Sequence, residues 1–352
     1  MSRPGITLLI LGAGCSVSSG YPLARDFVTR LAAYREACFS YAKRLLPRLD
    51  QTLKLFDQLR EVGAPAETLD DLARLVHQGK LGQRANHVVE DAKHAVAAMF
   101  LAAEGAAVQR GLAEYRSLLR RIFADEYGTS PHAALKRTPY RVLTFNYDRL
   151  FELAFRQFFE VDCPEAFYGP TCLNSGLLHL VPDVEVDPDR FSLLKLHGSV
   201  GVWSDEWRDP CRYSIAVPDP KAPGRVEDAI MVLDSPNSRG HVLPPIPSLV
   251  VFPHVKALLT RYPDNRAAFK AYIPKVWKAA CDFASQAETV EIIGYSCPEP
   301  DFPFLQRLLE AAASCRRIVI HNTAAGVICR RLRSRLPAMA EKFEPYEASF
   351  GE

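Results

Sequence analysis

Residues 6–14 read ITLLILGAG. The first six form a continuous run rich in leucine and β-branched residues, with no polar face of their own. Such a run suits a strand covered on both sides, and Gly12-Ala13-Gly14 suits the tight turn that ends it. Runs of the same kind recur at 141–145 (RVLTF), 193–197 (LLKLH), 289–294 (TVEIIG) and 317–321 (RIVIH). Each is followed by polar or glycine-containing sequence rather than a two-residue hairpin turn. Strands spaced by long helical stretches predict an α/β fold, a Rossmann-like parallel sheet with helices on both faces.

Between the first two runs the period becomes helical. Leu45, Leu46, Leu49, Leu53, Phe56 and Leu59 recur at threes and fours, as do Leu69, Leu72 and Val76. Val88, Val89, Ala92, Val96, Met99 and Phe100 follow, then Leu112, Tyr115, Leu118, Leu119 and Ile122. Thr68, ahead of a leucine-acidic run, is an expected N-cap. A further helix is expected over about 268–286. The stretches around 160–190 and 204–248 concentrate Pro, Asp, Ser and Gly and are expected to be loops. The resulting division is a core of 1–28, 136–160, 190–204 and 245–352, a helical insertion at 29–135, and a loop-rich lid or accessory module at 161–189 and 205–244.

Composition narrows the class. Of 352 residues, 48% are hydrophobic and 24% charged, which excludes a disordered chain. The 19 Gly and 26 Pro follow no period, so the chain is not collagen-like. With 43 basic against 41 acidic residues, the balance of +2 announces neither a nucleic-acid nor a membrane partner. Arg316, Arg317, Arg330, Arg331, Arg333 and Arg335 cluster late in the chain, a pattern that suits a solvated helix face better than a nucleic-acid patch. Nine cysteines without a CxxC pair favour reduced thiols and a cytoplasmic protein. They exclude a four-cysteine zinc ribbon, which needs two close-spaced pairs. No apolar run reaches the ~20 residues of a membrane span, and the N-terminal run is too short for a secretory leader.

Five segments carry possible chemistry. Gly12-Ala-Gly-Cys-Ser16 through Tyr21-Pro22 follows a strand, where glycines let a backbone approach a phosphate; an ordinary strand-to-helix turn fits equally. Small residues suit such a loop, so Cys15 and Ser16 need not be nucleophiles. Thr144-Phe-Asn146-Tyr-Asp148 offers an amide and a carboxylate that suit ribose hydroxyls, or a turn that satisfies its own backbone. Leu194-Lys-Leu-His197-Gly198-Ser199 sets a histidine at a strand end, placed for a general base or for a structural role. Ile292-Ile-Gly294-Tyr-Ser296-Cys-Pro-Glu-Pro-Asp301 and Ile318-Val-Ile-His321-Asn322 complete the set. In a parallel sheet all five fall on one edge, where open α/β proteins bind ligands.

Taken together and in order, these segments resemble the sirtuin superfamily, above all the prokaryotic sirtuin-like NADase branch of antiviral defence systems. The resemblance implies an NAD⁺ nucleosidase that uses NAD⁺ as substrate and depletes it in antiphage defence. Gly12, Ala13, Gly14 and Ser16 would meet the diphosphate, with Pro22, Thr144 and Gly198 also lining the nucleotide. Asn146 and Asp148 would face the nicotinamide ribose and carboxamide, and His197 would be the base. Gly294, Ser296 and Asn322 would hold the adenosine half. Control by a homo-oligomer or a partner defence protein, such as a HerA-type ATPase, is implied too. The deacylases of the family carry a zinc ribbon, a glutamine at the place of Phe145 and a Phe-Arg pair where this chain has Leu23-Ala24-Arg25-Asp26-Phe27. No zinc is therefore expected, and protein deacylation is disfavoured. A non-catalytic module binding NAD⁺ or ADP-ribose, and a divergent deacylase or ADP-ribosyltransferase, are the alternatives.

Overall fold

A computed structural model describes residues 5–23, 26–34, 40–64, 68, 71–72, 74–75, 78–80, 85–123, 131–160, 171–174, 177–180, 186, 190–205, 209–215, 218–224, 246–247 and 267–350. In chain order the elements begin with β1 (Ile6–Leu11), then the helices α1 (Phe27–Tyr34), α2 (Ser40–Glu61), α3 (Ala85–Gln109), α4 (Ala113–Phe123) and α5 (Pro131–Arg137). β2 (Tyr140–Thr144), α6 (Leu150–Phe159), β3 (Thr171–Asn174), β4 (Leu177–Leu180) and β5 (Leu193–Lys195) follow. Next come β6 (Val202–Asp205), β7 (Asp209–Ile215), β8 (Ile246–Pro247), α7 (Ala267–Gln286) and β9 (Ala287–Ile293). The chain closes with α8 (Phe302–Ala311), β10 (Arg317–His321), α9 (Ala325–Arg335) and β11 (Phe343–Tyr346).

Six strands make one parallel sheet in the order β11-β10-β9-β1-β2-β5. The chain moves from β1 towards β5, then returns to the other side of β1 for β9, β10 and β11. Right-handed crossovers in opposite directions place helices on opposite faces, so the sheet is doubly wound. The order reverses between β1 and β9. β1 lies at the centre, and Leu8, Leu9, Ile10 and Leu11 are buried there with Val142, Leu143, Val290, Ile292 and Ile320. Each such side chain contributes about 1.5–3 kcal/mol by leaving water. β11, sequence FEPY, is one edge of the sheet, with Pro345 in register with Ile320.

The helical expectations hold where the residues are described. α2, α3 and α4 coincide with the three strongest apolar repeats, and α7 with the run at 268–286. At Thr68 the cap is reciprocal: Thr68 Oγ1 accepts the Asp71 N–H at 3.1 Å while Asp71 Oδ2 accepts the Thr68 N–H at 3.0 Å. Leu69, Val76 and Arg25 lie outside the described residues, as does most of 161–189 and 205–244. Parts of the loop-rich stretches are strand instead. β3, β4, β7, β6 and β8 form a second, antiparallel sheet in that order. Short strands of this kind owe their state to the partner across the ladder, so polar composition alone did not reveal them.

The insertion is bonded into the core. On α3, Glu104 accepts Arg149 Nε at 2.6 Å and Arg149 Nη2 at 2.7 Å, and it also accepts the Gly224 N–H at 2.7 Å. Both side chains of this bidentate pair are buried. Removing one partner strands the other charge in the interior. Glu104→Ala is expected to cost about 3–5 kcal/mol, read as a lower urea midpoint with an unchanged slope.

Candidate functional site

The five segments meet at the carboxyl edge of the parallel sheet because backbone hydrogen bonds continue past the strand ends. The amides of Leu196, Phe145, Gly12, Gly294 and Asn322 donate to the carbonyls of Thr144, Leu11, Ile293, His321 and Tyr346, at 2.8–3.2 Å. The turns after β5, β2, β1, β9 and β10 are thereby tied side by side.

The glycines of this edge are required by one another. A Cβ on Gly14 would lie 2.6 Å from the Gly294 carbonyl oxygen, and one on Gly12 2.4 Å from Tyr295 Cβ. Gly294 has φ of +60°, and its Cβ would sit 2.6 Å from the Cys15 amide nitrogen. Close packing of two turns therefore accounts for these glycines, whatever else the loop binds. Ala13 is exposed, Gly14 half-buried, and Gly12 and Pro22 buried.

Beneath this loop lies a polar cluster. Ser16 Oγ donates to Asp148 Oδ2 at 2.6 Å, so its single hydrogen is committed. It then accepts from Tyr115 Oη at 3.0 Å and from Asn146 Nδ2 at 3.3 Å. Asn146 Nδ2 also donates to the Gly12 carbonyl at 3.0 Å, and the Asn146 N–H to Thr144 Oγ1 at 3.0 Å. Asp148 Oδ1 accepts the Leu150 N–H at 3.0 Å at the start of α6. Both Asp148 oxygens are thus engaged by the protein, and the residue orients Ser16 and the helix.

Burial pushes the Asp148 carboxyl up from its ordinary range, opposed by Lys195 and the Ser16 hydroxyl. Burial also raises the Tyr115 phenol, which stays protonated and able to donate. The Cys15 thiol is raised by burial as well, and Sγ donates to the Ile293 carbonyl at 3.1 Å, so it is no nucleophile.

His197 sits on the next turn, which Gly198 closes at φ of +83°. Its ring meets the edge of Phe145 at 4.9 Å between centroids and lies 5.9 Å from Tyr147. His197 Nε2 is 3.0 Å from Asp301 Oδ1, and Tyr295 Oη donates to Asp301 Oδ2 at 2.7 Å. Behind the turn, Lys195 Nζ pairs with Glu152 Oε1 at 2.9 Å and donates to the Asp148 carbonyl. Burial raises the Glu152 carboxyl, against the pull of Lys195.

The structure therefore brings Gly12, Gly14, Ser16, Asn146, Asp148, Thr144, His197 and Gly294 onto adjoining turns. Ser296 is exposed nearby, its carbonyl accepting from Arg331. Asn322 Oδ1 accepts the Ala324 N–H at 2.9 Å, so this oxygen serves the turn into α9. The arginine cluster is a solvated face, with Arg316, Arg317, Arg330, Arg333 and Arg335 exposed, and several of its members also bond within the molecule. Arg331 donates to the Cys297 carbonyl, Arg333 to the Ala340 carbonyl, and Arg335 pairs with Glu299. Sequence reasoning missed Tyr115, delivered by α4, and gave Asp301 no role although it stood in the fourth segment. Among the described residues no group of three His, Cys, Asp or Glu is placed to hold a metal ion, and no helix is long and apolar enough to cross a membrane.

Fold and site together define a doubly wound parallel α/β protein with a polar cluster at the carboxyl ends of β1 and β2, beside the point where the strand order reverses. Compared with known proteins, no family model matches the chain, and no curated sequence does. Among solved structures it is similar to Sir2Tm bound to a propionylated peptide, at 15% identity and a TM-score of 0.39, covering 98% of this chain and 88% of that one. It is likewise similar to Sir2 in complex with an inhibitor, 2′-O-acetyl-ADP-ribose and a deacetylated p53 peptide, at 16% identity and a TM-score of 0.35, covering 98% and 89%. Both likenesses are distant.

Gly294→Ala tests the contact between the two turns. A methyl at a positive φ against the Cys15 amide is expected to destabilise the protein by about 1–3 kcal/mol, seen as a lower thermal midpoint.

Proposed function

We propose that the chain is an NAD⁺ glycohydrolase, splitting the bond between nicotinamide and ribose with water to give nicotinamide, ADP-ribose and a proton. The observation that carries the reading is the meeting of Asn146, the Ser16–Asp148 pair and His197 on the adjoining turns after β1, β2 and β5, at the carboxyl edge of a parallel sheet and beside its switch point. Open α/β sheets bind nucleotides in that place. The order of the five sequence segments supports the same reading.

Each residue then has a task. The Gly12–Gly14 turn receives the diphosphate at its exposed Ala13, since the Gly12 and Gly14 amides donate to the Ile293 and Gly294 carbonyls and the Ser16 hydroxyl is committed to Asp148. Asn146 gives its amide hydrogens to Gly12 and Ser16, which leaves Oδ1 to accept from the attacking water or a ribose hydroxyl. Asp148 holds Ser16 and the first turn of α6 in place. His197 takes the proton that water loses as its oxygen bonds to the anomeric carbon. The electron pair of the broken C–N bond leaves with nicotinamide, whose ring charge it neutralises. Pro22, Thr144 and Gly198 shape the turns around the nucleotide, and Gly294, Ser296 and Asn322 lie towards the adenosine half.

Unchecked hydrolysis of NAD⁺ drains a cell, so the proposal includes control by self-assembly or by a partner in antiphage defence. A second reading, a non-catalytic module that binds NAD⁺ or ADP-ribose, is favoured by the burial of Asn146 and His197. Chromatography of NAD⁺ incubated with the protein separates the two. Wild type is expected to release nicotinamide and ADP-ribose, and Asn146→Ala or His197→Ala to lose about 10²–10⁴-fold in turnover while staying folded. Wild-type rates in both variants would sink the assignment. Calorimetric NAD⁺ binding without product would establish the module instead.

A further inference from the structure

We infer that Asp301 is the positioning residue for His197, fixing which ring nitrogen is the base; the inference rests on reading the site as hydrolytic. Asp301 ends the short 3₁₀ turn Glu299–Asp301 and is the N-cap residue of α8. An aspartate at an N-cap ordinarily accepts an N–H from the first turn of its helix. Here its side chain makes no capping bond, and Pro303 lies in the first turn with no N–H to offer. Both oxygens turn the other way. Oδ1 faces His197 Nε2 at 3.0 Å and Oδ2 accepts the Tyr295 hydroxyl at 2.7 Å.

The arrangement is braced from several sides. His197, Asp301 and Tyr295 are all buried. The Tyr295 ring stacks on Phe145, 4.4 Å between centroids and 6° from parallel, and Phe145 in turn meets the His197 ring edge-on. The loop leading to Asp301 passes through Cys297 at φ of +52°, a left-handed conformation that a residue with a side chain adopts only when its surroundings impose it. The helix thus forgoes a side-chain cap, and the loop accepts strain, at the place that sets a carboxylate against the histidine.

The chemical consequence is a defined tautomer. The Asp301 charge beside Nε2, close to it though not aligned as a hydrogen bond, favours the imidazole hydrogen on that nitrogen, which leaves the lone pair on Nδ1. Nδ1 is therefore the atom that takes the proton of the attacking water. The oxygen forms its bond to the anomeric carbon as the C–N pair departs with nicotinamide, and Asp301 stabilises the imidazolium that results. Tyr295 holds Asp301 by its second oxygen.

The test combines kinetics with nitrogen NMR of ¹⁵N-histidine-labelled protein, using His197→Gln to assign the signal. Wild type is expected to show His197 protonated at Nε2. Asp301→Asn is expected to change that pattern and to lower kcat about 10–100-fold, no more than the whole general-base contribution, with KM for NAD⁺ within about threefold of wild type. Asp301→Glu restores part of the rate. Tyr295→Phe, which keeps the stacked ring, gives a smaller loss in kcat and keeps the tautomer. An unchanged imidazole signal in Asp301→Asn overturns the inference, as does a loss carried by KM alone. If wild type splits no NAD⁺ while the tautomer responds to Asp301, the hydrolase reading falls and the pairing stands. If NAD⁺ is split and Asp301→Asn matches wild type, the pairing falls and the hydrolase reading stands.

Discussion

The structure depends on the row of backbone hydrogen bonds that carries the parallel ladder beyond its strands. Leu196, Phe145, Gly12, Gly294 and Asn322 each donate to the neighbouring strand end, so five turns share one frame before any side chain is considered. Five turns so joined cannot move independently. Glycine at 14 and 294 follows from the frame, because the turns after β1 and β9 approach until one backbone rests on the other. The polar side chains are then delivered to fixed points, which a site that must orient two reactants requires.

Under that frame the interior carries an unusual amount of charge. Glu104, Asp148 and Glu152 are buried with Arg149 and Lys195 around the start of α6. Burial pushes the Asp148 and Glu152 carboxyls up, and Lys195 counters it from between them. Truncating one member of such a cluster costs more than its own hydrogen bonds, since a neighbour is left charged in a dry place. The cluster also joins parts distant in sequence: α3 and Gly224 through Glu104, β5 through Lys195, and α6 through Arg149 and Glu152.

Much of this was legible beforehand, for identifiable reasons. β1 and β10 match their runs residue for residue, because each is a short, mostly apolar stretch bounded by turn sequence, even though Thr7, Arg317 and His321 are polar and only Ile318 and Ile320 of β10 are buried. The long insertion helices are read from their period alone. What escaped was whatever depends on contact between distant segments. β3, β4 and β7 lie in stretches of polar, loop-like composition and are strands by virtue of their partners. Tyr115 is one more apolar repeat position in sequence, and only the docking of α4 brings its hydroxyl to Ser16. Asp301 stands at the N-cap of α8, and only the packed structure shows its side chain turned to His197 and Tyr295 instead of the helix. Asn322 suggested a ligand contact, while its Oδ1 is bound within its own turn.

Pro345 has a consequence for how copies of this chain meet one another. The Tyr346 carbonyl accepts from Asn322, so Tyr346 turns its peptide groups towards β10. Alternation along the strand then turns those of Pro345 outward, where the ring removes the donor an incoming strand would need. At this end the sheet is closed to templated growth. Edge-to-edge stacking with another chain is denied that donor on the β11 side.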